Sequence, residues 1–360
     1  MDATPHIASL DAEALLPLLQ TRAPLARIGE ARRLIASHFA IPGGGRSCRP
    51  VGRATRDASE ALVDRQPIEL VEEVADDSDG FVKLLFRLAD GALCEAVRIP
   101  LHKPGCFSVC LSSQVGCAMG CDFCATGRLG LRRDLAAWEI VEAFRLVRNG
   151  TPGRVSGAVF MGQGEPLDNY DAVLQAARVI SLPYAGRIAS EAISISTVGV
   201  VPAIQRYASE GHRYRLIVSL TSAIDSRRAR LMPVSRKWGV ADIAAAVTQL
   251  HARTGQRQTL AWVILAGVNT GADEVEAIAR HFGHLPLRIN LIDVNDARPQ
   301  GYTRADEDDV AAFVDRLKVL GVPIVRRYSG GAAKHAACGM LAARHVAHDA
   351  GGLRGGCSAG

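Results

Sequence analysis

Cys117, Cys121 and Cys124 are separated by three and two residues in the stretch Gly116-Cys117-Ala118-Met119-Gly120-Cys121-Asp122-Phe123-Cys124. Three thiolates on so short a glycine-broken loop can hold a soft metal centre but cannot complete it. A structural zinc site takes four ligands, usually as two separated pairs. A 4Fe–4S cluster takes four cysteines, so three leave one iron open to a small ligand. Zinc completed by Cys110, or plain structural cysteines in a turn, are the alternatives that the spacing alone leaves open.

Other chemistry-bearing residues stand at the ends of apolar runs. Met161-Gly162-Gln163-Gly164-Glu165-Pro166 follows one such run. Its glycines let the backbone approach a ligand closely, Pro166 stops the strand, and Glu165 offers a carboxylate suited to an amino-acid ammonium. Ser196-Thr197, Ser219-Leu220-Thr221 and Asn295 end three further runs. Their hydroxyls and amide could bond ribose and purine edges, or serve only as turn and cap chemistry. Cys338 follows Arg326, Arg327, Lys334 and His335, cations that favour a nucleophilic thiolate. With Cys110 it makes a possible redox or nucleophilic pair, although a lone cysteine among alanines is more often a small core residue. Basic residues cluster at Arg128, Arg132 and Arg133, at Arg227, Arg228, Arg230, Arg236 and Lys237, and at Arg326 and Arg327. On loops of one face they would form a phosphate-binding rim; the ordinary alternative is a solvated surface.

The elements that must position these residues are legible as alternating patterns. From residue 106 onward, short apolar runs at Phe107–Ser112, Gly157–Met161, Ala192–Thr197, Arg215–Thr221, Gln258–Ile264, Leu287–Val294 and Pro323–Arg327 alternate with helical segments. The clearest helix is Asp134–Arg148, with Asp134 as cap and Ala137, Ile140, Val141, Phe144 and Val147 on one face. Repeated βα units predict an α/β fold, an open partial (β/α) barrel with its site at the C-terminal ends of the strands. Before it, residues 1–100 read as a small α+β accessory domain. Helices are expected at Leu10–Gln20 and Ile28–Phe39, a breaker at Ile41–Arg46, and a hairpin of Phe81–Leu88 with Cys94–Pro100. The barrel spans 101–345 and residues 346–360 read as a disordered tail.

Composition sets outer bounds. At 48% hydrophobic and 22% charged, the chain is an ordinary globular sequence with ample core. A net charge of +5 permits a nucleic-acid partner without arguing for one. An odd number of cysteines in a long chain suits a reducing cytoplasm better than a disulfide scaffold. The N-terminus lacks a signal-peptide pattern, and no apolar run suffices to span a membrane.

Five ordered motifs carry a resemblance: CLSSQVGCAMGCDFCATG, VFMGQGEPLDN, ISTVGVVPAI, SLTSAIDSRRARLMPVSRKW and AACGML. From about residue 80 to 345 the chain resembles the radical S-adenosylmethionine (SAM) adenine-C2 methyltransferases of rRNA and tRNA and their C8-methylating relatives. The resemblance implies a 4Fe–4S cluster on Cys117, Cys121 and Cys124, with SAM on the open iron. It also implies two SAM molecules per turnover, the first placing a methyl group on Cys338. Hydrogen abstraction from that methyl group then lets it add to the base, and Glu95 matches the family's proposed proton acceptor. Cys110 matches the second cysteine, which attacks the Cys338 sulfur, forms a disulfide and releases the methylated RNA. Gly164, Glu165, Ser196, Ser219, Leu220, Thr221 and Asn295 match the SAM pocket. An RNA partner, an external one-electron donor such as flavodoxin or ferredoxin, and a monomeric protein without a membrane partner complete the implied picture.

The chain departs from the family pattern around these residues. The usual Asp-Ile-x-Ala-Ala-Cys-Gly-Gln-Leu stands here as Ala333-Lys334-His335-Ala336-Ala337-Cys338-Gly339-Met340-Leu341. Ser-Leu-His has become Ser219-Leu220-Thr221, Gly-Met-Gly-Glu has become Gly162-Gln163-Gly164-Glu165, and Ile-Pro-Trp-Asn has become Ile292-Asp293-Val294-Asn295. Two rivals therefore stay in view: a radical SAM enzyme of the same fold with a non-RNA substrate, and a catalytically silent cluster-bearing RNA-binding protein.

Overall fold

The computed structural model describes residues 4–41, 50–75, 79–296 and 298–327. Cys338, the altered segment around it and the glycine-rich tail lie outside the described residues.

Three helices come first, α1 (Ala12–Gln20), α2 (Ile28–His38) and α3 (Arg53–Leu62). The first two match expectation. α1 begins after Asp11, whose Oδ1 accepts the Ala14 N–H at 2.7 Å as a side-chain cap. α3 was not expected: it buries only Thr55, Ala58 and Ser59, small side chains that give little apolar signal in a polar sequence. Then come β1 (Glu69–Ala75), β2 (Val82–Arg87) and β3 (Leu93–Pro100). The last two form the expected hairpin, and β1 adds an edge strand whose three glutamates hid it.

β4 (Cys106–Leu111) starts the barrel, followed by a short insertion: β5 (Gln114–Gly116), α4 (Ala125–Leu129) and β6 (Leu131–Asp134). α5 (Ala137–Asn149) begins later than expected because Asp134 ends β6 and accepts a hydrogen bond from Gln114 Nε2 at 2.7 Å. Glu139 caps the helix instead, accepting the Ala136 N–H at 2.8 Å. The βα alternation then runs through β7 (Arg154–Phe160), α6 (Tyr170–Ser181), β8 (Ile193–Thr197), α7 (Val201–Glu210), β9 (Arg215–Ser219), α8 (Asp225–Leu231), α9 (Val240–Thr254), β10 (Gln258–Ile264), α10 (Ala272–Phe282), β11 (Leu287–Asp293), α11 (Glu307–Leu317) and β12 (Ile324–Arg327).

All seven expected parallel strands form, and they do not stand apart from the hairpin. One sheet runs β1-β2-β3-β4-β7-β8-β9-β10-β11-β12 and does not close on itself. β4 is its hinge, antiparallel to β3 and parallel to β7. This is an α/β fold with an open partial barrel.

Strand alternation sorts the residues onto two faces. Leu216, Val218, Leu260, Trp262, Ile289 and Leu291 join the helix-side core, where the rings of Trp262 and Phe313 lie 5.9 Å apart. The other face, here called inner, carries Cys110, Ser194, Ser196, Ser219, Ala261 and Asn290. Parallel strands covered on both faces are normally apolar throughout. Small polar residues along the uncovered face mark it as the lining of a site. The N-terminal helices are tied to α5 and to the segment after α6 by part-buried bonds, including Ala12 N–H to Tyr184 Oη at 3.1 Å and His38 Nε2 to Glu142 Oε1 at 2.6 Å.

Candidate active site

The cysteine loop leaves β5 and enters α4. Its neck closes only because Gly116 has φ +80°, where a Cβ would fall 1.9 Å from the Gly130 carbonyl oxygen. Beyond the neck the loop is gripped from outside. Asp122 N–H bonds Leu231 O at 2.9 Å, while Arg128 and Arg298 both donate to the Asp122 carbonyl, at 2.9 and 3.0 Å. Cys117 and Cys121 are buried, Cys124 is half-buried, and all three are free. Burial pushes the Cys117 thiol up to about 12, and the nearby Cys124 thiol adds to it. Cys121 is raised by burial first and then by Cys124 and Cys117. The three sulfurs thus sense one another. Among the described residues no three His, Cys, Asp or Glu side chains converge as on a single ion; a cluster instead spreads its thiolates over separate irons. An all-sulfur donor set on a pinned loop fits a 4Fe–4S cluster.

The turn after β7 is locked against the segment between β4 and β5. Ser113 N–H donates to the Gln163 carbonyl at 2.8 Å, and Gln114 Oε1 accepts the Glu165 N–H at 2.9 Å. Gly164 has φ +98°, and a Cβ there would lie 2.6 Å from Ser113 Oγ and Gln114 Cβ, so only glycine fits. Glu165 is 2% exposed, and its carboxylate accepts the N–H groups of Leu167 at 3.0 Å and Val198 at 2.8 Å. Burial nevertheless raises its carboxyl to about 7. A cationic ligand would draw it back to the ionised form. Gln163 Oε1 is buried without a partner among the described residues, an acceptor available to a ligand.

The next strand ends lie beside this turn. Ser196 Oγ and Ser219 Oγ are 3.0 Å apart on the inner face. Leu220 differs: its side chain joins the helix-side core, its N–H bonds Ala261 O at 2.9 Å and its carbonyl accepts Arg228 Nε at 3.0 Å. Thr221 is fully buried at φ +58°, a left-handed conformation unusual for a β-branched residue, and its Oγ1 has no partner among the described residues. Asn269 holds this turn by donating to the Thr221 carbonyl at 2.7 Å. Asn295 sits half-buried just past β11. Together the glycine turn, the strained threonine and the unpartnered acceptors form a polar cradle that fits an amino-acid nucleoside such as SAM.

Cys110 and Glu95 lie on the antiparallel side of β4. Cys110 pairs with Val97 across the sheet, so Glu95, two residues before Val97, is its diagonal neighbour on the inner face. Ser112 ties this region to the cradle, donating to the Glu95 carbonyl at 2.7 Å and accepting the Gln163 N–H at 3.2 Å. Burial pushes the Cys110 thiol up to about 11. Sequence reading missed Ser112, Ser113 and Gln114 although they stand inside a quoted motif. It also missed Lys83, whose Nζ lies 3.3 Å from Glu95 Oε2; a single lysine in an apolar strand was the available signal.

The basic clusters divide: Arg128 and Arg132 are exposed, beside Asp296 and Asp90 respectively, while other members are tied into the structure. Arg133 is bound to Asp90 and Glu139, Arg227 to Asp273 and Glu274, and Arg326 to Asp293 and Glu307. Arg228 is fully buried among the carbonyls of Val198, Ser219 and Leu220 and the Ser235 hydroxyl. These cations position structure. Arg230, Arg236 and Lys237 remain exposed.

A three-cysteine loop, a glycine turn at the next strand end and an open parallel barrel define a radical SAM protein, and residues 111–282 match the radical SAM superfamily. Relatives narrow this further. A probable RNA methyltransferase of Anaeromyxobacter sp. (strain Fw109-5) is 47% identical over 342 residues, covering 94% of this chain and 99% of its own. A probable dual-specificity RNA methyltransferase of Bifidobacterium adolescentis is 35% identical over 334 residues, covering 89% and 86%. The crystal structure of a radical SAM methyltransferase from Sphaerobacter thermophilus superposes with a TM-score of 0.82 at 32% identity, covering 94% and 99%. The chain belongs to the radical SAM RNA methyltransferase family. That membership implies a 4Fe–4S cluster and SAM. Among the described residues no helix is long and apolar enough to cross a membrane.

Proposed function

We propose that this methyltransferase modifies carbon 2 of an adenine in 23S rRNA or tRNA through an S-methylcysteine on Cys338. The observation that carries the reading is the placement of Cys110 beside Glu95 on the inner face, joined by Ser112 to the cofactor cradle. A thiol and a carboxylate so placed suit a reaction that needs a second cysteine and a proton acceptor.

Cys117, Cys121 and Cys124 would hold the cluster, and the cluster with SAM supplies a hydrogen-abstracting 5′-deoxyadenosyl radical when bound. Gly164 leaves room for the SAM amino-acid group, and Glu165 balances its ammonium. Ser196, Ser219, Thr221 and Asn295 bond the nucleoside part, with the Leu220 main chain fixing the turn. Cys338 carries the methyl group to the base, using the first of two SAM molecules. Glu95 would take the proton from the base carbon, and the unpaired electron of the adduct would return to the centre that supplied it, leaving a closed-shell thioether between Cys338 and the base. The Cys110 thiolate attacks the Cys338 sulfur, forming a disulfide; the pair of the broken sulfur–carbon bond passes to the methylene carbon, which takes up a proton. Arg230, Arg236 and Lys237 contact RNA phosphates. Residues 1–100 act as an accessory domain that helps to hold folded RNA by shape, while 101–345 form the catalytic barrel. A flavodoxin or ferredoxin delivers the electron to a monomeric, cytoplasmic protein.

The test is anaerobic turnover of the reconstituted protein with SAM, reductant and 23S rRNA or tRNA, followed by nucleoside mass spectrometry. 2-Methyladenosine is expected, and Cys110→Ala should leave RNA covalently attached to protein. 8-Methyladenosine would correct the target carbon. No methylated adenosine despite reductive SAM cleavage would overturn the reading.

A further inference from the structure

Lys83 is the unexpected member of the inner face. Its strand reads Val82-Lys83-Leu84-Leu85-Phe86-Arg87, and Leu84 and Phe86 point into the helix-side core. Lys83 faces the other way yet is only 2% exposed, an unusual position for a lysine unless its charge is matched. The register places Val74, Lys83, Val97 and Cys110 in one row across β1, β2, β3 and β4. Glu95 stands one step along β3 from that row, 4% exposed, with Oε2 at 3.3 Å from Lys83 Nζ.

We propose that Lys83 is a positioning residue for this site, its buried ammonium holding Glu95 in place and ionised so that Glu95 meets the reacting carbon as a base rather than as an acid. The proposal rests on the proton-accepting role of Glu95 given above. Ser112 bonds the Glu95 main chain, and Lys83 constrains its carboxylate.

The electrostatic argument is one of sign. A carboxyl removed from water favours its neutral form, which cannot accept a proton; an adjacent ammonium reverses that preference. Beside the pair on the inner face, Leu85 packs with Val71, Val74 and Leu93. Other titratable groups lie further round the same face, Cys110 from β4 and Glu72 from β1, opposite Leu85. On the opposite face of β3, Cys94 is influenced by Glu139 and Arg133, which bond each other. Lys83 also favours the Cys110 thiolate, against burial and against Glu95.

The decisive experiment is infrared spectroscopy of the reconstituted protein without RNA, at neutral pH. Lys83→Met should show a protonated carboxyl band, additional to that of Glu165, that wild type and Lys83→Arg lack and that Lys83→Met/Glu95→Gln removes. In turnover, Lys83→Met should be about 100-fold slower at neutral pH and recover as pH rises, while Lys83→Arg stays within about fivefold of wild type. Adding Lys83→Met to Glu95→Gln should cost far less than the same change in wild type, the remainder being its effect on the Cys110 thiolate. If Lys83→Met is too unstable to isolate, Lys83→Gln serves as the neutral variant for the same band and the same comparison. A Lys83 variant lacking the new band and keeping the wild-type pH profile would overturn the proposal. Because the band needs no RNA, failure of the methylation reading shows separately, as a wild-type protein that leaves RNA unmodified.

Discussion

At the tips of the parallel strands, the buried charged side chains are held chiefly by main chain. The Glu165 carboxylate rests on the N–H groups of Leu167 and Val198, and the Arg228 guanidinium on the carbonyls of Leu220, Val198 and Ser219. On the antiparallel side, buried side chains answer one another, Lys83 against Glu95 with Cys110 beside them. The difference bears on function. Main-chain partners cannot change protonation, so the tips form a fixed cradle. Side-chain partners can, so on the antiparallel side a proton gained or lost by one group acts directly on its neighbours.

The largest expected effect separates the two regions outright. Cys121→Ala removes one cluster ligand from the tip side. Iron–sulfur absorption and 5′-deoxyadenosine formation should both vanish, while the folded state persists by circular dichroism because the loop is pinned independently through Asp122.

Arg228→Met sharpens the claim that the cradle is a main-chain construction. It strands the carbonyls of Val198, Ser219 and Leu220 and the Ser235 hydroxyl, each costing about 1–3 kcal/mol when left buried and unpaired. A loss of about 4 kcal/mol in denaturant unfolding is expected, with Arg228→Lys recovering only part, since an ammonium lacks the guanidinium fork. A loss below about 1 kcal/mol would break the comparison.

A smaller effect appears as pH dependence. Glu165 keeps its proton up to about 7 in the folded protein, against an ordinary value of 4.5. Between these values the folded state binds more protons than the unfolded one, so the Glu165 contribution is complete below 4.5 and is lost as pH rises through 7. Comparing wild type with Glu165→Gln across this window should isolate a contribution of roughly 3 kcal/mol, seen as a steeper fall with pH in wild type. Equal slopes would mean that the backbone N–H groups already keep the carboxylate ionised.

Much of this arrangement was legible in sequence because its parts are contiguous. Cys117, Cys121 and Cys124 share one loop, Gly164 and Glu165 one turn, and the seven parallel strands are apolar runs between helical periods. What stayed hidden depends on register and distant pairing. Lys83 meets Glu95 only because β2 and β3 pair as they do, and Ser112 joins two regions only because β7 ends beside it. The arginine clusters looked like a phosphate rim because their acidic partners, Asp273, Glu274, Asp293 and Glu307, lie far along the chain. β5 and β6 are too short to show an alternation, and the polar sequences of α3 and β1 concealed both.

The central claim, that Cys338 relays the methyl group, has a direct test in peptide mass spectrometry of the protein reconstituted without oxygen with iron, sulfide and SAM. One added methyl on the peptide containing Cys338, absent in Cys338→Ala, is the predicted result. An unmodified Cys338 peptide from a protein with an intact cluster would contradict it.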